Sequence, residues 1–221
     1  MRDCKEVLEQ CRSYGFTYDQ LEQQLLYNAA TSIKDVEGIV CEIGLRDCGG
    51  MGVMMVGCLD NEDKNHNFIA IDPYGGIEYM WQEDRKVFTD YTNTMKNKAL
   101  KNLYNFCEIN DLNFNLYCME DTEFFKRFED GVPAYVNRQK TISNKYSLVH
   151  FDGPHTVSDI IKEIEFFSDR LSIGGMFVFD DAYVGYYDHD KVESFLLRNG
   201  NFELVGKETH KASYKKLYSH F

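Results

Sequence analysis

Short apolar runs alternate along the chain with longer segments whose apolar residues recur every three or four positions. The runs are 38–44, 67–72, 113–119, 146–152 and 176–180. Each is short and almost continuously apolar, the pattern of a strand buried on both faces. Residues 202–206 and the aromatic stretch beyond them predict one or two further strands. Helical spacing marks 3–14, with Val7, Leu8 and Cys11, and 18–30, with Leu21, Leu25 and Leu26; Gly15 separates the two. A helix over Met51–Leu59 is expected to open just after Gly49 and Gly50. Residues 84–109 read as mainly helical, and Glu120–Phe128 as the first turns of a helix whose acids sit near the positive end of its dipole. From Val157 the stripe Ile160, Ile161, Ile164, Phe167 and Leu171 predicts a helix, and Ser172–Gly175 reads as its glycine C-cap. Residues 190–199 predict a last helix, and 130–145 show no period and read as a loop.

Strands alternating with helices in this way predict an α/β fold, a doubly wound Rossmann-like and mostly parallel sheet with helices on both faces. The expected division is an N-terminal helical extension, 1–35, and one domain, 36–221. With 221 residues, 43% of them hydrophobic, only 3 Pro and no Gly/Ser-rich linker, a second large domain is not expected.

The formal charge of −12 argues against nonspecific nucleic-acid binding, which rewards clustered Lys and Arg. The 7 Cys are odd in number, contain no C-x-x-C pair and fall partly in apolar runs, as expected of reduced thiols in a cytoplasmic protein. The charged start lacks the apolar core of a secretory signal. The longest nearly apolar run, from Met51 to Leu59, is too short to span a membrane.

In an open α/β sheet ligands bind at the C-terminal ends of the strands, and the candidate chemistry lies there. The turn from Gly44 through Gly49 and Gly50 lets backbone approach a ligand before a helix N-terminus. It lacks the early second glycine of a dinucleotide site and better suits a smaller nucleoside carrying a carboxylate. A plain strand–helix turn is the alternative. Asp72, at the next strand tip, is placed for ribose hydroxyls, or else caps a turn before Pro73. At the third tip, Asp121 is a candidate acceptor for an adenine amino group, with Met119 against the ring; Asp121 or Thr122 equally suits a helix cap.

Asp152, Asp180 and Asp181 end two strands joined by one crossover helix. Such strands are parallel, so three carboxylates meet at one sheet edge and call for a compensating cation. An oxygen-only ligand set favours Mg²⁺ or another hard divalent ion. His155 is the candidate general base. Tyr183, Tyr186 and Tyr187 follow the acid pair and suit either a substrate pocket or loop packing.

Taken together, the glycine turn with Asp72, Met119–Asp121, the Asp152-Gly-Pro-His155 motif and the Gly174-Gly175 strand ending in Asp180–Asp181 resemble a class I S-adenosylmethionine-dependent methyltransferase, over about Gly38 to Gly206. The second half is similar to the macrocin O-methyltransferase group, related to catechol O-methyltransferase-like enzymes. The resemblance implies Glu42 and Gly44 at the cofactor's methionine end, Asp72 at its ribose and Asp121 at its adenine. It also implies a divalent metal on Asp152, Asp180 and Asp181, with His155 as base. The acceptor it implies is a small hydroxylated molecule, a sugar or phenol. Two departures stand out. The turn after Gly44 is one residue longer than the common pattern, and Val157 replaces an aromatic. A homo-oligomer is compatible with the sequence. A nucleotide-dependent oxidoreductase, a non-catalytic cofactor-binding domain and a metal-independent methyltransferase acting on nitrogen or on nucleic acid stay open as alternatives.

Overall fold

The computed structural model describes residues 2–17, 21–82, 85–136, 139–154, 156–183 and 187–218, without the side chains of 81, 82, 135 and 136. In chain order the elements are α1 (Cys4–Ser13), α2 (Gln24–Ser32), β1 (Ile39–Ile43), α3 (Gly49–Asp60), β2 (Asn67–Ile71), β3 (Gly75–Gln82), β4 (Arg85–Tyr91), α4 (Asn93–Asn110) and β5 (Asn113–Tyr117). They continue as α5 (Asp121–Arg127), β6 (Val132–Val136), β7 (Gln139–Ser143), β8 (Tyr146–Phe151), α6 (Val157–Ser168), β9 (Leu171–Phe179), α7 (His189–Leu197), β10 (Phe202–Lys207) and β11 (Ala212–Lys216).

Seven strands form the central sheet in the order β10-β11-β9-β8-β1-β2-β5. The strands from β9 to β5 are parallel, whereas β11 runs antiparallel to both neighbours. The expected fold class is therefore the observed one. From β1 the chain winds outward to β2 and β5, then returns to place β8 on the other side of β1. That reversal opens a crevice between the tips of β1 and β8, where an α/β sheet binds its ligand.

Period-two alternation sorts the central strands onto two apolar layers. Val40, Phe68, Ala70, Leu148 and Val178 pack with α1, α2, α3 and α4, while Cys41, Ile43, Ile69, Phe151 and Phe179 pack with α5, α6 and α7. Each Val, Leu, Ile or Phe among them contributes roughly 1.5–3 kcal/mol on full burial. The N-terminal helices, expected as an extension, share the first layer with α3. Helix α3 is almost wholly buried, which explains why its sequence is apolar all round. Thr92 and Thr156 cap α4 and α6 by accepting from the amides of Met95 and Asp159. All seven cysteines are free, and burial pushes the thiols of Cys11 and Cys107 up to about 12.

The sequence reading needs correction at four places. Residues 84–109 are mainly helical, as expected, but not from their start: β3 and β4 form a hairpin, and α4 begins only after the Thr92 cap. Val87, Thr89 and Tyr91 alternate with exposed neighbours, a strand period hidden among charges. Residues 130–145 hold a second hairpin, β6–β7, rather than a loop. Helix α6 ends at Ser168, and Ser172–Gly175 bulges out of β9: Tyr146 pairs with Leu171, but Leu148 pairs with Met176. Gly174, at φ 83°, serves that bulge and not a helix cap. Helix α2 starts at Gln24, later than expected, and residues 18–20 lie outside the described residues.

Candidate active site

At the reversal point, backbone meets backbone. Gly44 has φ 85°, and a Cβ built on it would lie 2.0 Å from the carbonyl oxygen of Asp152. Only glycine lets the tips of β1 and β8 come so close. The Gly44 amide donates to Ile71 O and the Asp152 amide to Ile43 O, both at 2.9 Å, tying three strand tips together.

The turn beyond Gly44 is held by Asp72. Its Oδ2 accepts from the amides of Leu45 and Arg46, each at 2.9 Å, and its Oδ1 accepts from the Tyr74 amide at 2.9 Å. Tyr74 OH then donates to Arg46 O at 2.6 Å. Burial raises the Asp72 carboxyl, and these three amides pull it partly back. Sequence reasoning offered ribose binding or turn capping for Asp72. The structure shows the capping bonds directly, and a carboxylate with about four acceptor positions keeps one free.

Behind the turn, Glu42 Oε1 lies 2.9 Å from His150 Nδ1, both residues fully enclosed. Burial holds the Glu42 carboxyl well above its ordinary range and lowers His150 to about 3, so this is a neutral hydrogen-bonded pair. A Cβ at Gly50 would sit 2.1 Å from Glu42 Oε1, so that glycine makes room for the pair. Gly49 opens α3 behind a left-handed Cys48.

A cavity of about 980 Å³ runs along this edge. Glu42, Gly44, Gly49, Asp72 and Asp121 line it together with Asp152, Asp180, Asp181 and Tyr183, and Gly44 and Glu42 meet Asp152 within it. Asp121 stands in the first turn of α5, its carboxyl raised by burial and by Asp159 and Glu120. Met119, partly buried, packs against the second apolar layer. His155 and Tyr186 lie outside the described residues. Tyr187 OH donates to the backbone carbonyl of Asp180 at 3.1 Å, from within a buried chain of hydrogen bonds. His189 Nδ1 lies 3.2 Å from that hydroxyl, and His189 Nε2 lies 2.9 Å from Tyr214 OH. Tyr214 OH in turn donates to Glu193 at 2.6 Å.

The ligand set expected for a divalent ion is not assembled. Among the described residues, the one group of three potential ligands whose donor atoms lie within 4.8 Å of each other is Glu42, His150 and Asp152. In that group Glu42 and His150 are already engaged with each other. Asp180 forms an ion pair with Lys211, which is wholly buried. Burial alone would lower the Lys211 ammonium; the charges of Asp180, Asp152 and Asp181 outweigh it, and the net direction is up. Burial raises Asp152, and the neighbouring Asp180 charge raises it further, whereas Lys211 carries Asp180 below its ordinary value despite burial. The three acids thus share an edge, as expected, but in the described residues an ammonium compensates them.

Sequence reasoning missed Lys211 because β11 was expected only as an undefined aromatic strand. It also missed the β3–β4 hairpin, whose Ile77, Tyr79, Met80 and Tyr91 form a wall of the cavity. No signal short of the strand register identifies Lys211. For the hairpin, the alternation of 85–91 was available.

Among the described residues, no helix is long and apolar enough to cross a membrane. Comparison with curated proteins finds no match. Solved structures of similar fold include the O-methyltransferase NovP, at 15% identity and TM-score 0.64 over 91% of this chain and 84% of that one. Calicheamicin methyltransferase CalS11 gives 12% identity and TM-score 0.59 over 96% and 91%. The O-methyltransferase TomG from Streptomyces achromogenes, in complex with S-adenosylmethionine, gives 8% identity and TM-score 0.56 over 99% and 92%. At these identities the likeness establishes the fold, and the doubly wound sheet seen here agrees with it. The family described as methyltransferase domain matches residues 41–182, from β1 through both acid-bearing strand tips, and the chain belongs to that family of S-adenosylmethionine-dependent methyltransferases.

Proposed function

We propose that this protein transfers a methyl group from S-adenosylmethionine to a hydroxyl oxygen of a small acceptor, a sugar or a phenol. One observation carries the reading: a single cavity joins the glycine-turn edge, suited to a nucleoside, to the acidic edge, suited to a hydroxylated acceptor. Its volume of about 980 Å³ admits both molecules side by side. The O-methyltransferase titles of NovP and TomG support the choice of oxygen.

The residues present fit the cofactor. Gly49 at the start of α3 offers helix amides to a carboxylate, Asp72 retains acceptor capacity toward ribose, and Asp121 is an acceptor at the adenine side. An acidic wall also suits a sulfonium cation. When bound, S-adenosylmethionine supplies a methyl that forms an O–C bond as the C–S electron pair returns to sulfur, leaving S-adenosylhomocysteine. Asp152 and Tyr183 hold the acceptor hydroxyl at the cavity wall, and His155, three residues beyond Asp152, receives its proton. Positioning of the two reactants side by side in the cavity provides most of the acceleration. A divalent ion on Asp152, Asp180 and Asp181 was the expectation from sequence. The described residues do not fit it, because Lys211 already neutralises Asp180, and no step is routed through a metal.

The test is calorimetric titration with S-adenosylmethionine, followed by a screen of sugars, phenols and amines for S-adenosylhomocysteine release. One-to-one binding and turnover with hydroxyl acceptors are expected. Absence of binding, or turnover with amines alone, refutes the reading.

A further inference from the structure

The acid edge contains a cation that belongs to the chain. Antiparallel pairing sets Ala212 opposite Phe179 and Ser213 opposite Val178, which places Lys211 opposite Asp180. The amide of Ala182 donates to His210 O at 2.9 Å, and the amide of Glu208 to Lys211 O at 2.8 Å. These bonds lock the turn between β10 and β11 against the Asp180–Asp181 corner. Lys211 is 0% exposed and pairs with Asp180, which lines the cavity while Lys211 does not. A buried ammonium is retained only where it is paired, and here the pairing is fixed by sheet register, not by a flexible surface contact.

We propose that Lys211 stands in place of the divalent ion at this edge, so that the protein positions its acceptor without a metal. Lys211 is a positioning residue: fully buried and outside the cavity lining, it acts through Asp180. Its charge fixes the Asp180 carboxylate and prevents Asp152, Asp180 and Asp181 from repelling one another apart. It also repels a second cation from the same corner, since like charges at close range in a low-dielectric interior disfavour each other strongly. The catalytic meaning of the inference rests on the proposed methyl transfer, but the absence of a metal requirement is testable alone.

The probe is Mn²⁺, followed by its electron paramagnetic resonance and by thermal unfolding, on the full chain. Wild type is expected to bind no Mn²⁺ below about 1 mM, the weak end of oxygen-ligand sites, and to show the same S-adenosylmethionine affinity with and without EDTA. Lys211→Met keeps the stem's length and removes the charge. It is expected to gain one Mn²⁺ site at least about tenfold tighter than wild type, with a rise in unfolding temperature on adding Mn²⁺. Lys211→Arg restores the charge and is expected to lose that site again, a pattern that a purely packing role for Lys211 does not produce. Stoichiometric Mn²⁺ binding by wild type overturns the proposal, and so does a Lys211→Met variant that folds but gains no Mn²⁺. Should Lys211→Met fail to fold, the wild-type titration decides by itself. If S-adenosylmethionine does not bind at all, the function reading fails while the Mn²⁺ result still stands.

Discussion

Two aspartates at the ends of parallel strands of one sheet, Asp72 and Asp180, are held in opposite ways. Asp72 is fixed by three backbone amides from residues close to its own tip and to the neighbouring one. Asp180 is fixed by a side-chain cation from a strand that returns antiparallel, 31 residues later. Amide donors belong to the fold wherever the turn forms, so the glycine-turn edge is preorganised by local geometry. The acidic edge depends on one distant residue. The same strand-tip architecture therefore gives a robust site for one ligand and a tunable one for the other.

The largest expected effect strikes where the two edges touch. Gly44→Ala places a Cβ against the Asp152 carbonyl at a positive φ, and its destabilisation should reach about 3 kcal/mol or more in chemical denaturation. A loss under about 1 kcal/mol would mean that the two tips are not in contact. Next, Asp72→Ala leaves three amides without their acceptor and should cost about 2–3 kcal/mol, together with weaker S-adenosylmethionine binding. If stability falls but cofactor affinity does not, Asp72 is only a tie for the turn. On the acidic side, Tyr214→Phe unpairs His189 Nε2 in the chain that ends at the Asp180 carbonyl, and should lower stability by about 1 kcal/mol.

The smallest effect is spectroscopic. Burial lowers His150 to about 3 and His189 to about 4, so their ring resonances should not titrate between about pH 5 and 8. The folded values lie below the unfolded one of about 6.5. Both histidines therefore contribute stability that is complete above the unfolded value and declines as pH falls toward the folded values. A midpoint above the ordinary value of about 6.5 for His150 would show that its pairing with Glu42 is ionic and that the electrostatic contrast between the edges is misassigned.

How far the sequence reveals this site follows from the range of the interactions. Gly44, Asp72, Asp152 and Asp180 could be placed on one edge because each ends an apolar run, and parallel strands bring their ends together. The neutrality of the Glu42–His150 pair could not be read, since it arises from two strands meeting in register. Lys211 was invisible for the same reason. Its neighbours, His210 to Lys216, mix polar and apolar residues, and only the pairing of Ala212 with Phe179 gives the lysine a partner. The helical reading of 84–109 holds from Asn93 on and fails over 85–91, where the charged residues of β4 masked its alternation; Gly174–Gly175 was misassigned because a bulge and a helix cap use the same residues.

The register between β9 and β11 has a consequence for assembly. Asp180 leaves the ribosome before Lys211 does, and the turn that carries Lys211 docks only when the antiparallel strand inserts between β9 and β10. Without β11 the acidic corner would lack the cation that pairs with Asp180. Insertion of β11 thus completes the sheet and the charge balance in a single event, which makes a mispaired C-terminal hairpin self-rejecting: a slip of one residue sets Ala212 or His210 against Asp180 and leaves the carboxylate without its partner.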